Sequence, residues 1–162
     1  MSIAFEPAPI WRRVAAAIID VFVVNIVVLS LISVVLNGNL AEAFGAVVFN
    51  GLYVVGTTAV LGGTPAKRLL GLWVFDVETE ELVGWQAALV RWSVPSGIPL
   101  GFLLVAITAD APTGIIGTLV LFAITMPIIV FGSIFLREDR RGVHDLLAGT
   151  IVSHPVLDTR LD

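Results

Sequence analysis

Apolar residues in this chain run in blocks too long for a soluble fold. Val14 to Leu36 is a continuous apolar stretch whose notable interruptions are Asp20 and Asn25. Ala43 to Gly62 carries no charge, Trp92 to Ala109 holds Pro95 and Pro99, and Ile115 to Leu136 holds Pro127. A helix needs about 20 apolar residues to cross the hydrocarbon core of a bilayer. Prolines are tolerated in such helices because neighbouring helices and waters re-satisfy the freed backbone groups. The pattern therefore predicts four transmembrane helices, at about 14–36, 43–62, 92–109 and 115–136. Arg12 and Arg13 resemble the basic start of a signal peptide, and Ala41-Glu42-Ala43 resembles a cleavage site. The apolar run between them exceeds the roughly 7–15 residues of a signal core, so an uncleaved span is expected.

Composition agrees. Of 162 residues, 57% are hydrophobic and 14% charged, against roughly 45–50% and about 25% in soluble domains. The length suits one domain. The chain has no cysteine, which removes disulfides, thiolate metal sites and cysteine nucleophiles. A net charge of −4 argues against a nucleic-acid partner.

The position of the charges says more than their sum. Arg12 and Arg13 precede the first predicted span, and Lys67, Arg68 and Arg91 lie between the second and third. Arg137, Arg140, Arg141 and Arg160 follow the fourth. The other two loops, 37–42 and 110–114, contain no basic residue and carry Glu42 and Asp110. With four spans, all nine basic residues fall on one side, which the positive-inside rule makes cytoplasmic. Both termini are then cytoplasmic, with cytoplasmic segments at 1–13, 63–91 and 137–162, in the cytoplasmic membrane.

These segments have their own structure. Thr64-Pro65 reads as a helix N-cap followed by proline at the first helical position, and Gly71 as a stop; a short surface helix is expected over Pro65–Leu70. Leu72–Val77 reads as a strand, Glu78-Thr79-Glu80 as a turn and Glu81–Val83 as a return strand. Ala87–Trp92 reads as an interfacial helix, with Trp85 and Trp92 at headgroup level. A short helix ending at Gly149 is expected, then a third strand at Thr150–Ser153 and a loose tail. The expected fold is thus an all-α membrane protein: a four-transmembrane-helix bundle with a small cytoplasmic β-hairpin or sheet and short interfacial helices. Gly62-Gly63-Thr64-Pro65-Ala66-Lys67 lacks the spacing of a phosphate-binding loop, and Arg68 follows the lysine.

At these positions the chain resembles the RDD family of small bacterial and archaeal membrane proteins, named for an arginine and two aspartates. The first motif matches Arg13 to Asp20, with seven positions between the charges. The second matches Gly63-Thr64-Pro65-Ala66-Lys67-Arg68-Leu69-Leu70-Gly71. Arg91 matches a further arginine, and Arg140-Arg141-Gly142-Val143-His144-Asp145-Leu146-Leu147-Ala148-Gly149-Thr150 the last motif. The resemblance covers roughly residues 11–153. Ala66 stands where the family commonly has glycine, and the turn at 78–80 lacks the usual Asp-Gly. Transport is what the resemblance implies, with cation/proton antiport proposed for some members.

Asp20 is the one acid inside a predicted span. It lies roughly 10 Å along the helix from Arg13, on nearly the same face. Ionisable groups at such depth face the bundle interior, paired or hydrated. Asp20 then either binds a cation and exchanges protons, or is a structural acid paired with Arg13 or Arg91. His144 and Asp145 read as a gate or proton relay; the structural alternative has Asp145 capping its helix or tying down the cytoplasmic segment through Lys67, Arg68 or Arg91. Lys67, Arg68, Arg140 and Arg141 suit anionic lipid headgroups or an acidic partner surface, or serve only to set topology. Asn25, Asn50 and Tyr53 suit interhelical hydrogen bonds. Ser93, Gly97 and Gly101 line one helix face for close approach.

Two functions follow. One is a small transporter exchanging monovalent cations for protons through Asp20, acting as a homo-oligomer because four spans leave little room for a cavity. The other is a non-catalytic scaffold, assembly or lipid-organising module whose charges lock the bundle. No nucleophile, base and oxyanion hole are assembled in the sequence, so no enzyme is expected, and no cofactor or metal.

Overall fold

The computed structural model describes residues 2–20, 22 and 40–158. Strand β1 (Ser2–Pro7) leads through Ala8 and Pro9 into helix α1 (10–20). Helix α2 (Ala41–Leu61) is followed by the short α3 (Pro65–Leu69) and strand β2 (Trp73–Asp76). Helices α4 (Trp85–Thr108) and α5 (Thr113–Leu136) form an antiparallel pair, and α6 (Val143–Leu147) and β3 (Thr150–Asp158) complete the chain.

The expected four-helix bundle is corrected. Among the described residues, three helices are long and apolar enough to cross a membrane, namely α2, α4 and α5, and they accompany a small, open three-stranded sheet. The stretch predicted as a first span is described as helix over 10–20, and most of its remainder, with Asn25, lies outside the described residues. The described part is amphipathic: Arg13, Ala16 and Asp20 share one face, with Arg13 and Ala16 buried. Its charges engage the segments around the sheet, and it does not behave there as an apolar rod.

The sheet also differs from the expected hairpin. Its order is β1-β3-β2, both pairs antiparallel, with Ser153 of β3 facing Pro7 on one side and Trp73 on the other. The return strand at 81–83 is reduced to a bridge between Phe75 and Leu82. β3 runs on to Asp158 against β1, where a loose tail was expected. The sheet therefore gathers both chain ends and the 63–84 segment at one end of the helices. Beneath it lies a core of small and branched residues: Ala8, Ala16, Ala66, Leu72, Val74, Val83 and Val152. Ala66 is 1% exposed, so a methyl group is accommodated at this position.

The expected interfacial helix at 87–92 is continuous with α4, which reaches from Trp85 to Thr108. Two π-helical turns interrupt the spans, Leu52–Gly56 in α2 and Ser93–Gly97 in α4. Just before them, Trp92 Nε1 donates to Asn50 Oδ1 at 2.5 Å. Pro95 lies within the second π turn and Pro99 follows it, removing donors from the helical ladder there. Gly97 allows this register: a Cβ there would lie 2.7 Å from the Trp92 ring. The outward faces carry Phe49, Phe102, Val105, Leu121 and Ile128, all exposed. Large exposed apolar faces on three long helices are the mark of a lipid-embedded surface.

Candidate functional site

Two charge centres share helix α1. The first surrounds Asp145, in the opening turn of α6, where Gly142 leads into the helix and Gly142 N donates to Asp145 Oδ2 at 3.0 Å. Arg13 Nη2 donates to the same oxygen at 2.5 Å, and Arg91 Nη1, from the second turn of α4, donates to Oδ1. Arg13 Nη1 also donates to the Arg140 carbonyl, and Arg91 to the Thr150 hydroxyl at the start of β3. Asp145 is fully buried and both arginines are 6% exposed. Burial by itself would raise the Asp145 carboxyl; the guanidinium groups of Arg91 and Arg13 outweigh it and hold the group below the usual carboxylate range.

His144 packs edge-on against Phe131 and sets Nε2 3.3 Å from Asp145 Oδ1, while its buried Nδ1 has no hydrogen-bond partner. Burial pushes the imidazole down to about 3, so it is neutral at pH 7. A neutral ring with Nε2 protonated fits the contact with the carboxylate. The centre then holds two positive charges and one negative. It ties α1, α4, α6, β3 and the turn at Arg140 together, and none of it is open to solvent.

The second centre surrounds Asp20, at the last turn of the described part of α1. Tyr53, in the π turn of α2, donates from its hydroxyl to Oδ1 at 3.0 Å. Thr64 donates from Oγ1 to Oδ2 at 2.6 Å. Lys67 Nζ stands 3.7 Å from Oδ2 and 3.4 Å from Thr64 Oγ1. The left-handed Gly62 and the extended Thr64 turn the chain from α2 into α3, and this corner delivers Thr64 and Lys67 to the carboxylate. Asp20 and Lys67 are 14% and 16% exposed; solvent reaches this pair, unlike Asp145. Burial lowers the Lys67 ammonium below its ordinary value, with Asp20 opposing, Arg91 adding to the lowering, Asp145 opposing and Arg13 again adding.

The sequence-derived residues thus divide. Asp20 pairs with Lys67 and not with Arg13 or Arg91, which both turn to Asp145. Arg68 stacks over the Trp73 ring, and Arg141 Nε donates to the Thr150 carbonyl at 3.0 Å. Arg140 keeps its side chain exposed, from a left-handed backbone with φ 54°. Thr64 and Thr150 were not singled out as site residues. The Thr64 hydroxyl makes no capping bond and is spent on Asp20, a use its N-cap position concealed. Among the described residues, no group of three His, Asp or Glu side chains is placed to hold a metal ion.

Compared with known proteins, residues 7–149 match the model of the RDD family. No curated protein and no solved structure matches the chain.

Proposed function

The chain belongs to the RDD family, and we propose that this member exchanges a monovalent cation for a proton across the cytoplasmic membrane, with Asp20 as the carboxylate that receives the cation. The observation that carries the reading is the contrast between the two acids. Asp145 is sealed and held by two arginines that do not titrate near neutral pH. Asp20 is reachable and surrounded by hydroxyl oxygens and a lysine, the side chain whose charge shifts readily on burial. The Asp145 centre is the structural lock that holds the sheet against the helices; Asp20 is the working group.

The sheet end carries Arg12, Arg13, Lys67, Arg68, Arg137, Arg140 and Arg141, while Glu42 and Asp110 lie at the other ends of α2 and α4. The positive-inside rule then assigns the sheet to the cytoplasm. Only 11% of the most apolar window of α5 is buried within the chain, which supports an oligomer or broad lipid contact. The reaction needs no enzyme chemistry.

One observation favours a scaffold instead: Asp20 already has an internal counter-ion. Proton and sodium flux in sealed proteoliposomes separates the two readings. Wild-type protein is expected to couple the fluxes, and Asp20→Asn to lower the rate by more than about tenfold with insertion unchanged. Wild-type flux retained in the mutant removes Asp20 from the mechanism. Silence in well-inserted wild type leaves the scaffold.

A further inference from the structure

The Lys67 ammonium stands where an exchangeable cation would stand. Around it are the Asp20 carboxylate and the Thr64 hydroxyl, with Tyr53 Oη on the far carboxylate oxygen. These are hard oxygen donors, suited to a small monovalent cation. The Lys67 contacts, at 3.7 and 3.4 Å, are loose for a charge-assisted pair, whose N···O distance is usually about 2.7–2.9 Å. Both carboxylate oxygens already accept hydroxyl donors. A proton placed on Asp20 would turn one of those hydroxyls away, whereas a proton lost from Lys67 breaks only the loose contacts.

We propose that Lys67 is the proton carrier of the exchange: a sodium- or lithium-sized cation displaces its ammonium from Asp20, Thr64 and Tyr53 as Lys67 gives up one proton. This rests on the reading of Asp20 as the cation-receiving group. In the step, one N–H bond of the ammonium breaks, its electron pair stays on Nζ, and the proton leaves to water. The incoming cation restores the charge against the carboxylate. One positive charge enters and one departs, so the exchange is electroneutral.

The surroundings favour loss of that proton. From α1 come Asp20 and Arg13, from α4 Arg91, from α6 Asp145 and the neutral His144, from α2 the Tyr53 phenol, and Arg68 is the neighbour on α3. The Asp145 centre, with two arginines and one carboxylate, leaves an excess positive charge facing Lys67. Burial acts in the same direction. The structural lock thereby also tunes the exchanger.

Lys67 is the single lysine of the chain, so protein labelled with 15N at lysine Nζ gives one side-chain resonance. Its titration, followed in nanodiscs at constant ionic strength, is expected to move down by about one pH unit for each tenfold rise in NaCl or LiCl once the site fills. Choline chloride is expected to leave it in place. A midpoint indifferent to sodium and lithium overturns the proposal. Lys67→Gln supplies the second arm: sodium is expected to raise its melting temperature equally at low and high pH, whereas in wild type the effect fades as pH falls. If the variant keeps the wild-type pH dependence, Asp20 remains the cation site but the proton comes from elsewhere. If sodium neither binds wild type at any pH nor crosses with protons, the underlying reading of Asp20 fails as well. An initial exchange rate that follows an imposed membrane potential overturns the one-for-one stoichiometry.

Discussion

Arg13 Nη2 and Asp145 Oδ2 lie 2.5 Å apart although 132 positions separate them in the chain. The pair joins the first helix to the last, and Arg91 meets the same carboxylate from α4. A buried charge stripped of its partner costs far more than the intact pair contributes. The wild-type arrangement is held together by completeness, with each oxygen of Asp145 engaged by a different guanidinium.

Asp145→Asn is accordingly expected to be the most damaging single change among the charged residues. It leaves Arg13 and Arg91 buried with no counter-charge, at a cost of about 3–5 kcal/mol. Chemical unfolding in detergent, monitored by tryptophan fluorescence, measures this. Loss no larger than that of an exposed control such as Asp139→Asn would show that the cluster carries little stability.

Stability is also expected to decline in mild acid through His144. Its folded-state value, pushed down to about 3 by burial, lies below the ordinary value of about 6.5. Between these limits the unfolded chain takes up a proton that the folded chain refuses. The stabilising contribution is therefore complete above about pH 6.5 and falls with pH by up to about 1.4 kcal/mol per unit until about pH 3. In His144→Phe, whose ring still meets Phe131, the melting temperature should change less between pH 7 and 4.5 than in wild type. Parallel curves would remove His144 as the source.

Thr64→Val tests whether the hydroxyl serves Asp20 or the helix that begins beside it. Since Thr64 makes no capping bond, α3 should persist and the protein should insert normally. A hydrogen bond to a charged group is worth about 1.5–3 kcal/mol, so half-saturation of the flux should require about tenfold or more sodium. An unchanged sodium requirement would separate Thr64 from the site.

Gly97→Ala probes the contact between α2 and α4. The new methyl would lie 2.7 Å from the Trp92 ring, a rigid group whose Nε1 is held by Asn50. Overpacking of this kind costs about 1–3 kcal/mol. A shifted Trp92 emission with a lower melting temperature is the expected result, and neither would change if the helices could simply move apart.

The membrane character was legible because hydrocarbon thickness imposes a length that α2, α4 and α5 display openly in their apolar runs. α3 was legible too, since Thr64, Pro65 and Gly71 are local signals. β1 was not: six residues beside the N-terminus carry no turn that announces a partner, and that partner is β3, at the other end of the chain. The pairing of charges failed for the same reason. Helical spacing relates Arg13 to Asp20 and suggests they meet, but same-face residues seven apart are nearly two turns apart, and each found a closer partner across the fold. Thr64 shows the reverse limit, a residue in its predicted place whose hydroxyl went to another task.

The central strand of the sheet and the acid of the lock both come from the end of the chain. During translation, β1 and β2 have no strand between them, and Arg13 and Arg91 have no Asp145, until the last segment leaves the ribosome. The membrane helices are by then already made. Closure of the cytoplasmic end is thus a final assembly step, and a chain that terminates early carries two unpaired guanidiniums and two open strand edges, features a quality-control protease or chaperone can read.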